Sequence, residues 1–251
     1  MIALTNDQFQ HQHRWCFTNS QLLKLAMILC VAVSVILINL MMSVASEAQT
    51  LQVLTPEQKQ KDRFLKAARF DDVKTIRELL GQGVDANTAE AGRGETALML
   101  AVREDSYRVF EYLITYPQIQ LDQRASNGDT ALMLAAYLGK VDWVAELINA
   151  GAQVNQTGWT ALHYAAAIGD EQIIAVLLEY HAYIDAESPN KTTPLMMASR
   201  KGDLPAVRLL VEEGADLSLK NMVGMTALDF ANDAGMRAVA QYLEQKRAEK
   251  K

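Results

Sequence analysis

The residues with the clearest chemical potential lie in "TGWTALHYAAAIGD", Thr157 to Asp170, where a tryptophan, a histidine, a tyrosine and an acid fall close together. A histidine there could serve as a general acid or base, but only with a second group placed to orient its ring. The sequence supplies no such partner for His163, and sister segments carry Met99, Met133, Met196 and Asp229 at the same place. A residue that methionine can replace serves packing and a local hydrogen bond, so His163 reads as structural. His181 stands where a helix-terminating glycine belongs and reads as a cap, since histidine tolerates the left-handed conformation better than most residues.

Other candidate chemistries fail in the same way. No G-x-S-x-G, H-E-x-x-H, P-loop or G-x-G-x-x-G stands in a supporting context. The acid pairs Asp71-Asp72 and Glu212-Glu213 read as solvated charge, and "AGRGET" (Ala91 to Thr96) as a loop. Met196, Met197, Met222 and Met225 fall at helical and hairpin positions, where methionine is core or adaptable contact surface before it is a metal ligand. Both cysteines, Cys16 and Cys30, precede residue 31, which leaves the rest of the chain without a disulfide framework or a cysteine zinc site. No cofactor, metal or catalytic residue is expected, and the chain reads as a non-enzyme.

With 251 residues, half of them apolar, and a formal net charge of -6, the chain can bury a core. It lacks the broad positive field that phosphate backbones require, so nucleic acid is not an expected partner. Residues 25–46 carry no charge and follow a polar lead with Arg14 and Lys24. The run ends in "SVASEAQT", where Ser46 and Ala48 fit a cleavage site before Gln49. Residues 1–48 are therefore expected to be a secretory signal, with an uncleaved membrane anchor as the alternative, because about 20 apolar residues suffice to span a bilayer. Periplasmic export follows from the first reading and inner-membrane anchoring from the second. A membrane enters either account only through residues 25–46.

The remainder repeats. The segments "GETALMLAVRED", "GDTALMLAAYLG", "GWTALHYAAAIG", "KTTPLMMASRKG" and "GMTALDFANDAG" place threonines at 96, 130, 160, 193 and 226, spaced by 34, 30, 33 and 33 residues. After each comes a second helix with apolar pairs four apart, such as Val109-Phe110 with Leu113-Ile114 and Ala238-Val239 with Tyr242-Leu243. That spacing makes one apolar stripe per helix. Each threonine can cap a first helix, with Pro194 at a first helical position where its missing N–H costs nothing. Alanine pairs such as Ala135-Ala136 let a neighbouring helix approach, and Gly83, Gly151 and Gly214 end second helices.

These residues resemble the ankyrin repeat, whose signature runs T-P-L-H-x-A-A-x-x-G and then V-V-x-x-L-L-x-x-G-A. The resemblance implies an all-α solenoid of six helix-turn-helix repeats with β-hairpin fingers, and a concave groove that binds proteins without catalysis. The expected layout is a linker and the start of a capping helix at 49–61, beginning at Thr55. Repeats follow at about 62–90, 91–124, 125–156, 157–187, 188–220 and 221–246, with a charged tail at 247–251. Departures are expected at Pro117, where an exit glycine is missing, in the finger "VNQTGW", about three residues short, and at Lys191, which replaces a turn glycine.

By the same resemblance, two positions before each turn glycine face the groove, and the residue before each threonine is a finger tip. The expected contact set is Trp159, Tyr137, Leu138 and Ile168 at the centre, Arg103, Glu104, Arg200 and Lys201 at the flanks, and Asp129 and Met225 on the fingers. The three basic flank residues would steer an acidic protein partner to a monomeric chain. Trp159 carries an alternative, in which it folds over the shortened finger and packs on Tyr164.

Overall fold

A computed structural model describes residues 55–249. The apolar segment 25–46, with its expected cleavage or retention, lies outside the described residues, as does the end of the tail at 250–251. No described helix is long and apolar enough to cross a membrane.

Threonine sets the start of most first helices. The Oγ1 atoms of Thr96, Thr130, Thr193 and Thr226 accept bonds from the N–H groups of Met99, Met133, Met196 and Asp229 at 3.3, 3.3, 3.4 and 3.4 Å. Each satisfies a donor that the helix itself cannot, an arrangement worth about 1 kcal/mol. Thr55 does the same at the beginning, reciprocally with Gln58, so the capping helix starts where the sequence places it. The inner helices are α1 (Pro56–Arg69), α3 (Ala97–Arg103), α5 (Ala131–Tyr137), α7 (Ala161–Ile168), α9 (Pro194–Lys201) and α11 (Ala227–Asp233). Each turns back into an outer helix: α2 (Val73–Gly81), α4 (Tyr107–Ile114), α6 (Val141–Asn149), α8 (Glu171–Glu179), α10 (Leu204–Glu212) and α12 (Arg237–Glu249).

Close helix packing runs within a unit and between adjacent units, inner on inner and outer on outer. Fully buried Ala68, Ala101, Ala135, Ala136, Ala165, Ala166 and Ala198 bring the inner helices together. Outer helices α4 and α6 meet instead through a stacked pair, Phe110 on Trp143, with centroids 4.3 Å apart. The core is thus a strip of nearest-neighbour contacts, and stability accrues unit by unit.

A side-chain ladder also joins the units. Asn87 accepts from the Gln120 N–H at 2.7 Å and donates to the Gln118 carbonyl at 2.9 Å. Asp122 accepts from the Gln153 N–H, Asn155 from the Tyr183 N–H and Asp185 from the Asp216 N–H. One amide or acid per unit therefore satisfies backbone in the next, including the exit loop at Pro117.

The departures from the pattern resolve locally. His181 and Lys191 both take the left-handed conformation, each at φ 61°, as glycine would. The His181 N–H donates to the Leu178 carbonyl at 2.9 Å, which makes it the helix cap that its position implied. Three expectations are corrected. The apolar stripe of α12 lies one residue later than the sequence pairs suggest: Val239, Ala240 and Leu243 are buried and Ala238 is exposed, because the stripe keeps the 33-residue spacing from Ala206-Val207. The final helix also takes in the tail as far as Glu249. Asp71 and Asp72 are not merely solvated: Asp72 caps α2 through the Thr75 N–H, and Asp71 accepts the Val109 N–H of the next unit at 2.9 Å.

Candidate protein-binding face

The fingers are hairpin-shaped turns closed at their base. Glu90 N–H donates to the Glu95 carbonyl, Ala125 to Asp129, Ser188 to Thr192 and Asn221 to Met225, at 2.8 to 3.0 Å. The arms are short, so no strand forms among the described residues; the first finger alone adds a second bond, Ala97 N–H to the Thr88 carbonyl at 3.2 Å, which makes Ala89 with Thr96 an isolated antiparallel bridge. This geometry corrects the assignment of finger tips. In these four fingers the residue before the threonine closes the turn, which buries Glu95 and Thr192 and leaves Asp129 and Met225 half-buried; Trp159, in the short finger, is half-buried as well. The tips are two to four residues earlier, and in the last finger they are Met222 and Val223, 70% and 77% exposed. Neighbouring fingers are stitched by backbone: Ser126 N–H to the Arg93 carbonyl at 2.8 Å and Met222 N–H to the Asn190 carbonyl at 2.9 Å.

Tyr164, on α7, gathers three of the expected contact residues. Its hydroxyl donates to the Asp129 carboxylate, the Tyr137 ring meets it edge-on at 5.9 Å, and the Trp159 ring lies 6.5 Å away. Burial first, and the hydrogen bond to the Asp129 carboxylate second, push its phenol well above the ordinary value. Trp159 also stands edge-on to the His163 ring at 5.2 Å, so its indole leans inward over the short finger. Tyr137 and Leu138 remain open to solvent, at 53% and 37%. Ile168, half-buried, lies beside Gly139 and extends that surface to the next unit.

His163 is fully engaged by backbone. Its Nδ1 accepts the Thr160 N–H at 3.2 Å, and its Nε2 stands 2.9 Å from the Thr192 carbonyl, a pairing that fixes the proton on Nε2. Here the histidine ring occupies the Thr160 N–H as part of the helix cap, and at the same time ties unit four to the finger of unit five. Burial holds its pKa below the ordinary 6.5 and keeps it neutral.

The cations divide into two kinds. Arg200 and Lys201 are exposed at the end of α9. Arg103 is held: its guanidinium grips the nearly buried Glu95 carboxylate, which Arg93 also reaches at 3.3 Å. Arg93 and Arg69 in turn bind Glu90, making a chain of three arginines and two glutamates that runs from the end of α1 through the first finger to the end of α3. Arg103 was expected as a free steering charge, and its placement shows a charge already matched. Glu104, beside it, is exposed. The residue missed from sequence is Tyr164; the available signal was that Leu100, Leu134, Met197 and Phe230 fill the same place, so a polar-tipped ring there must find an acceptor.

Comparison with known proteins agrees with this architecture. A family model described as "Ankyrin repeats (3 copies)" matches residues 64–157, 118–188 and 181–251. Neurogenic locus notch homolog protein 1 of Xenopus tropicalis is 40% identical over 135 residues, which is 53% of this chain and 5% of that protein. The Homo sapiens protein of that name is 37% identical over 135 residues, with the same shares. Neurogenic locus notch homolog protein 2 of Homo sapiens is 40% identical over 124 residues, 48% of this chain and 5% of the relative. The chain thus spans a small fraction of each relative's length. Repeated threonine caps, alanine-packed inner helices and finger turns, matched by a family model over most of the sequence, place this chain in the ankyrin repeat family.

Proposed function

We propose that this chain is a non-enzymatic interaction module, exported to the periplasm, which grips a protein partner across the groove lined by its fingers and inner helices. The observation that carries the reading is the apolar surface of Tyr137, Leu138 and Ile168, continued by the Tyr164–Trp159 rings and followed by exposed Arg200 and Lys201. Exposed aromatic and aliphatic groups beside arginine are the composition of an interaction hot spot. Arg200 and Lys201 steer an acidic partner, a task that the matched charge of Arg103 leaves to them. Co-purification from native extract tests this. Tyr137→Ala with Leu138→Ala is expected to release the partner while the melting temperature stays within about 2 °C, because both side chains are open to water. Retention of the partner by that variant would overturn the reading.

A second reading, a scaffold tethered to the inner membrane by residues 25–46, rests on the length of that apolar run. Mass measurement of the mature protein separates the two: a chain beginning at Gln49 supports export with cleavage, and an intact Met1 supports the tether.

A further inference from the structure

The channel between successive outer helices recurs along the back of the stack, and its first copy carries a charge that a later one lacks. Between α2 and α4 an open groove of about 660 Å3 is lined by Val73, Lys74, Arg77, Arg108, Glu111 and Tyr112, three cations against one acid. The corresponding groove between α8 and α10, about 380 Å3, is lined by Arg208 with Glu171 and Glu212, one cation against two acids. In a chain of net charge -6, the basic first groove departs from the general balance.

Two of its three cations are also pre-positioned. Arg108 is fixed by Asp71, through Nε to the carboxylate at 2.8 Å and Nη2 to the carbonyl at 2.9 Å. The Arg77 guanidinium lies 4.8 Å over the Tyr112 ring, which with Val73 gives the groove an apolar floor. Among the described residues neither Lys74 nor Arg77 forms a salt bridge. A stacked guanidinium keeps its outward N–H groups available to carboxylates.

We propose that this groove docks an acidic peptide segment of a protein partner, with carboxylates on Lys74 and Arg77 and an apolar side chain on Tyr112 and Val73. The recessed floor favours a peptide, whose side chains can enter, over a flat bilayer. The segment does not come from this chain's own outlying residues, since 1–54 contain no acids except Asp7 and Glu47, and 250–251 are lysines. The site is separate from the finger face and stands or falls without it.

The probe is a fluorescein-labelled peptide, Glu-Glu-Leu-Glu-Glu-Leu-Glu-Glu, titrated with the full chain by anisotropy at low and physiological salt. Binding is expected to weaken by about tenfold in Lys74→Glu with Arg77→Glu, and to be unchanged in Arg200→Glu with Lys201→Glu. The milder Lys74→Gln with Arg77→Gln, checked for helix content by circular dichroism, is expected to lose about threefold. Equal binding by the groove variants, or loss confined to the Arg200 and Lys201 variant, would overturn the proposal. So would phosphatidylglycerol vesicles captured through Lys74 and Arg77 while the peptide is not, which assigns the groove to membrane surface. Self-association abolished by the same variants would overturn it in favour of a second copy.

Discussion

Units two and three of the stack place a carboxylate at the same point, just before the capping threonine, and use it in opposite ways. In unit two Glu95 is enclosed by its own unit's Arg103 and by Arg93, so the charge is spent internally and the surface above it is ionic and matched. In unit three Asp129 is held by the Tyr164 hydroxyl of the following unit, which sets a ring upright against Tyr137 and leaves an apolar surface facing out. One backbone frame thus yields a charged staple in one place and an aromatic platform in the next. The difference lies in what each neighbouring position supplies, arginine or tyrosine.

The junction between these two regions offers the largest perturbation. Phe110→Ala removes the fully buried ring that stacks on Trp143 and should cost about 3–5 kcal/mol in urea unfolding. It should also split one transition into two if the ionic and aromatic halves are stable apart; a single transition would show that the coupling runs mainly through the inner helices.

Arg103→Met tests the ionic staple. Glu95 is left with Arg93 alone, more exposed and at 3.3 Å, in a nearly closed site, a loss of roughly 2 kcal/mol, below the full cost of a buried pair because Arg93 remains and Arg103 itself is a third exposed. Pairing it with Glu95→Gln should restore most of that stability, and failure to do so would mean that Arg103 acts through packing.

Tyr164→Phe tests the platform. Losing the bond to Asp129 should cost about 1 kcal/mol by thermal melting at neutral pH. Because the folded phenol is held above its ordinary 10.0, its contribution is whole below that pH and fades as pH rises past it. The variant should therefore lose less stability than the parent between neutral pH and pH 11.

The smallest effect concerns His163 in unit four, next to the aromatic platform. Its folded pKa lies below 6.5, so the unfolded state binds the proton more readily, and stability falls as pH drops below 6.5. His163→Met, the residue that sister units carry, should lose up to about 1 kcal/mol at pH 7.5 with the Thr192 bond. It should also flatten the decline in melting temperature between pH 7 and pH 5; an unchanged decline would assign it to carboxylates elsewhere.

What the sequence alone determined is everything that depends on separations of a few residues or on the repeat itself. Threonine capping its own helix, Pro194 at a first turn, the outer-helix stripes and the six-unit stack could be read directly, since each unit buries its apolar side only against the next. His163 and His181 were legible for the same reason, by comparison with their counterparts. Tertiary structure alone decided which charges are free and which residues project. Arg103 and Glu95 are eight residues apart, but their pairing depends on how the finger folds back onto α3. Asp71 meets Val109, and Tyr164 meets Asp129, across 38 and 35 residues. The true finger tips, Met222 and Val223 among them, follow from where a turn closes by one backbone bond. A pattern of residue types records which contacts repeat, whereas the reach of a particular side chain into the neighbouring unit is set by the angle at which one hairpin lies on the next.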